Sequence, residues 1–171
     1  LFAGVVAYNR PYVRQRINTF MHPSEDSQGA GYQIQQSLIA IGSGKLAGRG
    51  FGQSVQKFNY LPEPIGDSIF AVQAEEFGFI GSIALILLFL LFLFRSFKIS
   101  TKAPDTFSGL ATIGIAILIV IESFMNIASM LGIIPLSGMP LLFVSHGGTA
   151  LIITLGAVGI IANISKYQKS T

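Results

Sequence analysis

Three long apolar stretches dominate the second half of the chain. From Phe77 to Phe94 no residue is charged, and at about 1.5 Å per residue such a helix crosses the roughly 30 Å hydrocarbon core of a bilayer. Phe107 to Ile134 and Gly138 to Ile164 repeat the pattern, interrupted by Glu122 and His146 respectively. The pattern predicts an all-α fold, a polytopic transmembrane helix bundle with spans at about 68–95, 107–134 and 139–165. Ahead of them, GYQIQQSLIAIGSG sets Ile34, Leu38 and Ile41 at i, i+4 and i+7, with Gly42 and Gly44 as stops. That spacing predicts a short amphipathic helix in the membrane interface, packed onto the bundle. The opening LFAGVVAYN, residues 1–9, reads as the end of a preceding transmembrane helix, so the chain is expected to be the C-terminal part of a longer protein. Residues 10–67 then form a large loop between that helix and the next.

Composition agrees with membrane embedding: 51% of the residues are hydrophobic, 11% are charged, and the mean hydropathy is +0.63. With no cysteine, disulfides and thiolate chemistry are excluded. Basic residues set the orientation. Arg95, Lys98 and Lys102 follow the first span, and Lys166 and Lys169 follow the last, so both places are expected to be cytoplasmic and the 10–67 loop extracytoplasmic. That loop nonetheless carries Arg10, Arg14, Arg16, Lys45, Arg49 and Lys57 against Glu25, Asp26, Glu63 and Asp67. Either the loop is long enough for its charge not to govern topology, or the cations hold an anionic ligand at the membrane surface. The glycine-rich SGKLAGRGFGQSVQK is open to the same pair of readings, flexible connector or phosphate-approaching loop, and it lacks the ending of a P-loop.

The segment YLPEPIGDSIFAVQAEEFGFIG places Asp67 just ahead of the first span. Pro62 and Pro64 forbid a helix through YLPEP, and Gly66 permits a turn. Asp67 then either caps the helix or serves as a general base at the outer membrane surface. Cations and a cap lower a carboxyl pKa, whereas partial burial at the bilayer edge raises it toward the range a base needs. Glu75 and Glu76 lie about two turns deeper, where carboxylates are costly and must face protein or a wet cavity. Glu122 and Asn126, at i and i+4, are expected to join helices, and His146 to be a hydrogen-bonded packing residue.

Those residues carry a resemblance. GAGYQIQQSLIAIGSGKLAGRGFGQSVQKFNYLPEPIGDSIFAVQAEEFGFIG and the later IPLSGMPLLFVSHGGTALI closely resemble the C-terminal part of the SEDS family (FtsW, RodA, SpoVE), with GRGFGQSVQKFNYLPEP nearer the FtsW branch. The resemblance implies a peptidoglycan glycosyltransferase that polymerises lipid II on the outer face of the plasma membrane, in cell division or cell-shape maintenance. It implies Asp67 as the catalytic base, and a class B penicillin-binding transpeptidase as partner. Lys45, Arg49, Arg14 and Arg16 become candidate diphosphate partners, and Glu75 and Glu76 further substrate-binding candidates. No cofactor, metal ligand cluster or nucleic-acid partner is implied, and a divalent cation at the diphosphate stays open. Two positions depart from the family pattern: Ile65-Gly66 where His-Thr is common, and His146 where Tyr is usual. The rival functions are a flippase for lipid-linked precursor, which needs polar residues lining a route, and a non-catalytic divisome or elongasome scaffold.

Overall fold

The computed structural model describes residues 11–22, 29–58 and 60–168. The expected helix end at 1–9, Arg10 and Lys169 lie outside them. Five helices account for the regular structure, and no strand occurs among the described residues. They are α1 (Pro11–Met21), α2 (Ala30–Ser43), α3 (Ile69–Thr101), α4 (Thr106–Met130) and α5 (Gly148–Lys166). The last three are long and apolar enough to cross a membrane.

Helices α3 and α4 form an antiparallel hairpin, and its short connection ends on an N-cap. Asp105 stands in extended backbone and its Oδ2 accepts from the Ser108 amide at 2.8 Å, the arrangement that satisfies a free donor in the first helical turn. Helix α2 lies across the other end of this hairpin. Its buried face is Gly31, Ile34, Ser37 and Ala40; of the predicted stripe, Ile34 is buried and Ile41 packs half-buried against the core, while Leu38 is 45% exposed. Small residues win that face because they let the helix backbones approach closely. The central core unites α2, α3, α4 and the segment after α4 through Ile34, Phe70, Phe89, Ile127, Met130, Leu136 and Leu141. On α5 the large side chains are mostly outward, with Ile152 at 73% and Ile153 at 72% exposure, the surface expected of a helix facing lipid.

Three helix boundaries differ from the sequence expectation, and one of them is the end of α4 at Met130 where 134 was expected. Helix α3 runs through Arg95 and Lys98 to Thr101, because a helix leaving the bilayer keeps its backbone bonds while its charges reach the interface. Helix α5 begins at Gly148, not near 139. Residues 138–147 are irregular with a turn at 142–144 and positive φ at Gly138 (67°) and Phe143 (69°), and this stretch reaches back to the segment before α3.

Helix α3 is itself broken. Gly78 has φ 67° and ψ −163°, far from helical values. A break frees backbone groups on either side, and the loop after α2 satisfies them. The amides of Arg49 and Gly50 donate to the carbonyls of Glu75 and Glu76 (both 3.0 Å), and the amides of Phe79 and Ile80 donate to Lys45 and Leu46 (2.9 and 3.1 Å). The approach is close enough to require glycine: a Cβ on Gly78 would sit 2.3 Å from the Gly48 nitrogen. The glycine-rich stretch is therefore a stitched plug in the helix break. Backbone groups freed by a break in a spanning helix must be satisfied within the protein, as they are here.

Candidate functional site

The loop from Leu61 to Ser68 turns on Glu63, whose carbonyl accepts from the amides of Gly66 (3.0 Å) and Ser68 (3.2 Å). Ser68, not Asp67, is the N-cap of α3, and it makes no side-chain cap bond. Its hydroxyl donates to the Pro62 carbonyl at 2.8 Å and accepts from Gln33 Nε2 at 2.9 Å. The next three peptide carbonyls upstream are each held from a different direction. The His146 amide donates to Ile65 O, Ser145 Oγ to Gly66 O, and Asn126 Nδ2 to Asp67 O, all at 2.8 Å. Three successive anchors on one short segment fix where the Asp67 side chain points.

It points into a small cavity of about 170 Å³, bounded by Arg16, Gln33, Asn126, Ser129 and Gly138. Arg16 is positioned by a hydrogen bond from Nη1 to the Leu136 carbonyl. Gly138 separates the two charges: a Cβ there would lie 3.7 Å from both Arg16 Nη2 and Asp67 Oδ2. Burial pushes the Asp67 carboxyl above its ordinary value, nearby Glu63 adds to the rise, and Arg16 opposes it. The net shift is upward, the direction a general base requires. Opposite stands Asn126, 1% exposed. Its Nδ2 donates to Asp67 O and Met139 O (2.8 and 2.6 Å), which obliges Oδ1 to face away from those carbonyls, and Oδ1 has no partner among the described residues. An unpaired buried acceptor costs roughly 1–3 kcal/mol unless a ligand or water donates to it.

The predicted site residues thus separate into two groups. Arg16 joins Asp67. Glu75 and Glu76 lie instead under the glycine-rich loop, at 0% and 7% exposure. Glu75 accepts from Ser54 Oγ (2.6 Å) and from the amides of Val55 and Gln56 (both 3.2 Å), with Arg49 Nε at 3.4 Å. Glu76 pairs with Lys57 Nζ at 2.7 Å. Their burial was expected; that their oxygens are taken up by their own loop was not. Lys45 is exposed on that loop. Arg14 lies on α1, and its side chain is outside the described residues. Sequence reasoning passed over Gln33, Gly138 and Ser145, and took Asn126 only as a helix-joining residue. Asn126, a lone amide on a spanning helix, was the available signal. Among the described residues no three His, Asp or Glu side chains gather into a metal-holding group.

A helical membrane protein with a broken spanning helix, and a half-buried carboxyl just before that helix facing a buried amide of the next one, is the class this geometry defines. The family model described as a cell cycle protein, covering FtsW, RodA and SpoVE, matches residues 2–170, and the chain belongs to that family. Stage V sporulation protein E of Bacillus subtilis (strain 168) is 45% identical over 168 residues, which are 98% of this chain and 46% of that protein. A probable peptidoglycan glycosyltransferase FtsW of Thioalkalivibrio sp. (strain K90mix) is 45% identical over 157 residues, 90% of this chain and 39% of that protein. Among solved structures, a chain from "Structural coordination of polymerization and crosslinking by a peptidoglycan synthase complex" superposes with TM-score 0.73 at 25% identity, over 99% of this chain and 46% of that one. The chain therefore spans less than half the length of these relatives.

Proposed function

We propose that this chain supplies the acid–base centre of a peptidoglycan glycosyltransferase that polymerises lipid II. Asp67 is its general base. It takes the proton from the attacking sugar hydroxyl as that oxygen bonds to the anomeric carbon of the second substrate, and the carbon–oxygen bond to the diphosphate breaks with its electrons leaving on the phosphate. Arg16 is the cation nearest this exchange and favours the ionised states of base and diphosphate. Asn126 Oδ1 accepts from a hydroxyl or amide of the sugar. The carrying observation is the half-buried Asp67 carboxyl, raised above its ordinary value in a cavity that also holds Arg16. Lys45, on the exposed loop, and Arg14 remain candidate contacts for the outer phosphate. Arg49 reaches it only by leaving Glu75. The site lies on the extracytoplasmic side of the plasma membrane, as the basic flanks of α3 and α5 favour, and a class B penicillin-binding transpeptidase works beside it.

The relatives' names and the peptidoglycan synthase assembly support this reading over a flippase, whose polar route loses Glu75 and Glu76 to the glycine-rich loop. The test joins this chain to the other half of the family fold and replaces Asp67 with Asn. General-base catalysis is worth about 10²–10⁴-fold. Lipid II polymerisation in liposomes should fall at least a hundredfold, with protein level and partner binding unchanged. Polymerisation near the parent rate removes Asp67 from the mechanism.

A further inference from the structure

The far end of α3 carries a second polar cavity, remote from Asp67. It measures about 460 Å³ and is bounded by Arg95, Lys98, Ile99 and Lys102 with Gln168. The three cations stand at i, i+3 and i+7 and so share one helix face. Topological bias alone asks only for positive charge near a span. It does not ask for a cavity, nor for alignment of the charges on one face.

Beside this cavity, toward the bilayer centre, an apolar groove of about 880 Å³ runs between α3 and α4. Leu87, Leu91, Phe94 and Phe97 form one wall, Ile113 and Ile117 the other. The α3 wall extends for about 15 Å at 1.5 Å per residue. The two linings are joined where Lys98 Nζ stands over the Phe94 ring, 5.1 Å from its centroid. Lys98 borders the polar cavity and Phe94 the groove. Cations at the membrane edge, followed inward by a hydrocarbon-lined trough, reproduce the order of head and tail in one lipid molecule.

We propose that this cavity and groove form one binding site for an anionic glycerophospholipid of the leaflet at the Arg95 end. Arg95, Lys98 and Lys102 hold its phosphate, and the groove between α3 and α4 holds an acyl chain. The headgroup class follows from the sign and number of the charges. The acyl chain follows from a groove whose lining is entirely hydrocarbon.

The purified chain, stripped of lipid in detergent, is titrated with phosphatidylglycerol or phosphatidylcholine and read by native mass spectrometry. Each basic residue near an anionic headgroup is worth about fivefold in affinity, so three give a preference on the order of a hundredfold for phosphatidylglycerol. Arg95→Gln/Lys98→Gln/Lys102→Gln should erase that preference while helix content by circular dichroism is kept. Lys166→Gln, at the same end but outside the cavity, should retain it. The chain has no tryptophan, so Phe97→Trp reports from the groove alone. In phosphatidylcholine nanodiscs its fluorescence should be quenched more by tail-brominated phosphatidylglycerol than by equal tail-brominated phosphatidylcholine. Equal binding of the two lipids, or equal loss in Lys166→Gln, overturns the site in favour of diffuse charge. Full competition by glycerol phosphate overturns the acyl groove, leaving a free-phosphate site. A Phe97→Trp signal quenched by neither lipid also overturns it, because another protein segment or a second copy then fills the groove.

Discussion

Replacing Gly78 with alanine tests the claim that the glycine-rich loop plugs the break in α3. Alanine at φ 67° and ψ −163° occupies backbone space that is essentially reserved for glycine, at about 1–3 kcal/mol. Its Cβ would also lie 2.3 Å from the Gly48 nitrogen and 2.7 Å from the Leu46 carbonyl oxygen, both of them backbone atoms that cannot swing aside. The loop must retreat. With it go the four cross-bonds from the amides of Arg49, Gly50, Phe79 and Ile80, each worth about 0.5–1.5 kcal/mol. If the helix instead straightens to rebuild its own bonds, the loop is expelled just the same. The two contributions together make loop opening easier by about 4 kcal/mol or more, on the order of a thousandfold in population. Lys45, Arg49 and Lys57 make the loop a trypsin substrate, and cleavage through a fast opening equilibrium follows that population. In detergent, Gly78→Ala should be cut at these sites several hundredfold faster than the parent. Gly42→Ala is the control: it lies in α2, and a Cβ added there would meet no atom within 4 Å, so its cutting rate should be unchanged or slower. Cleavage of Gly78→Ala within threefold of the parent refutes the plug.

The raised Asp67 carboxyl carries a stability signature. Because the folded chain holds that proton more tightly than the unfolded one, stability declines as pH rises through the window above the ordinary value of 3.8. Asp67→Asn should therefore melt at or above the parent temperature at pH 7, with the gap closing toward pH 4 and below; a drop of several degrees at pH 7 counts against it. Glu75→Gln sets an amide donor among the amides of Val55 and Gln56 and the Ser54 hydroxyl, and should cost about 2–4 kcal/mol in denaturant titration; a cost below about 0.5 kcal/mol would show the buried carboxylate to be dispensable. For topology, Gln53→Cys and Thr101→Cys are both on exposed residues of an otherwise cysteine-free chain. An impermeant thiol reagent added outside intact cells should label the first and not the second, and the reverse pattern places the Asp67 cavity in the cytoplasm.

The spans were readable because a charge-free run is a local property, and the all-helical class followed from it. Asp67 stood out for the same reason: Pro62, Pro64 and Gly66 punctuate the chain just before it. What stayed hidden is whatever depends on partners far along the chain. FGFIG reads as uninterrupted apolar helix, and only the loop some thirty residues earlier shows why Gly78 can leave helical geometry. The cavity that Arg16 shares with Asp67 joins residues about fifty positions apart, and nothing in a count of cations selects Arg16 over Lys45. On α2 periodicity found Ile34 and Ile41 but also took Leu38 and missed Gly31, Ser37 and Ala40, because it ranks residues by apolarity whereas close helix contact favours small ones.

The break at Gly78 also changes what the two glutamates mean. Counted from Asp67 along one continuous span, Glu75 and Glu76 would sit about two turns inside the hydrocarbon, where a charge is costly. Yet Phe79 to Thr101 alone is about 34 Å long, enough to cross the bilayer without help from the first half of α3. The half-helix Ile69 to Phe77 is then free to stand at the headgroup level. There Glu75 and Glu76 are interfacial, and Arg49 and Lys57 neutralise them. Asp67 comes at most about 16 Å above the break along that half-helix. A sugar carried on a lipid diphosphate hangs outward from the headgroup level by a comparable reach, so a base rooted in the hydrocarbon would miss it. On the proposed reading of Asp67 as general base, the broken helix would lift it to the height of the hydroxyl it deprotonates, and the plug beneath would keep that height fixed.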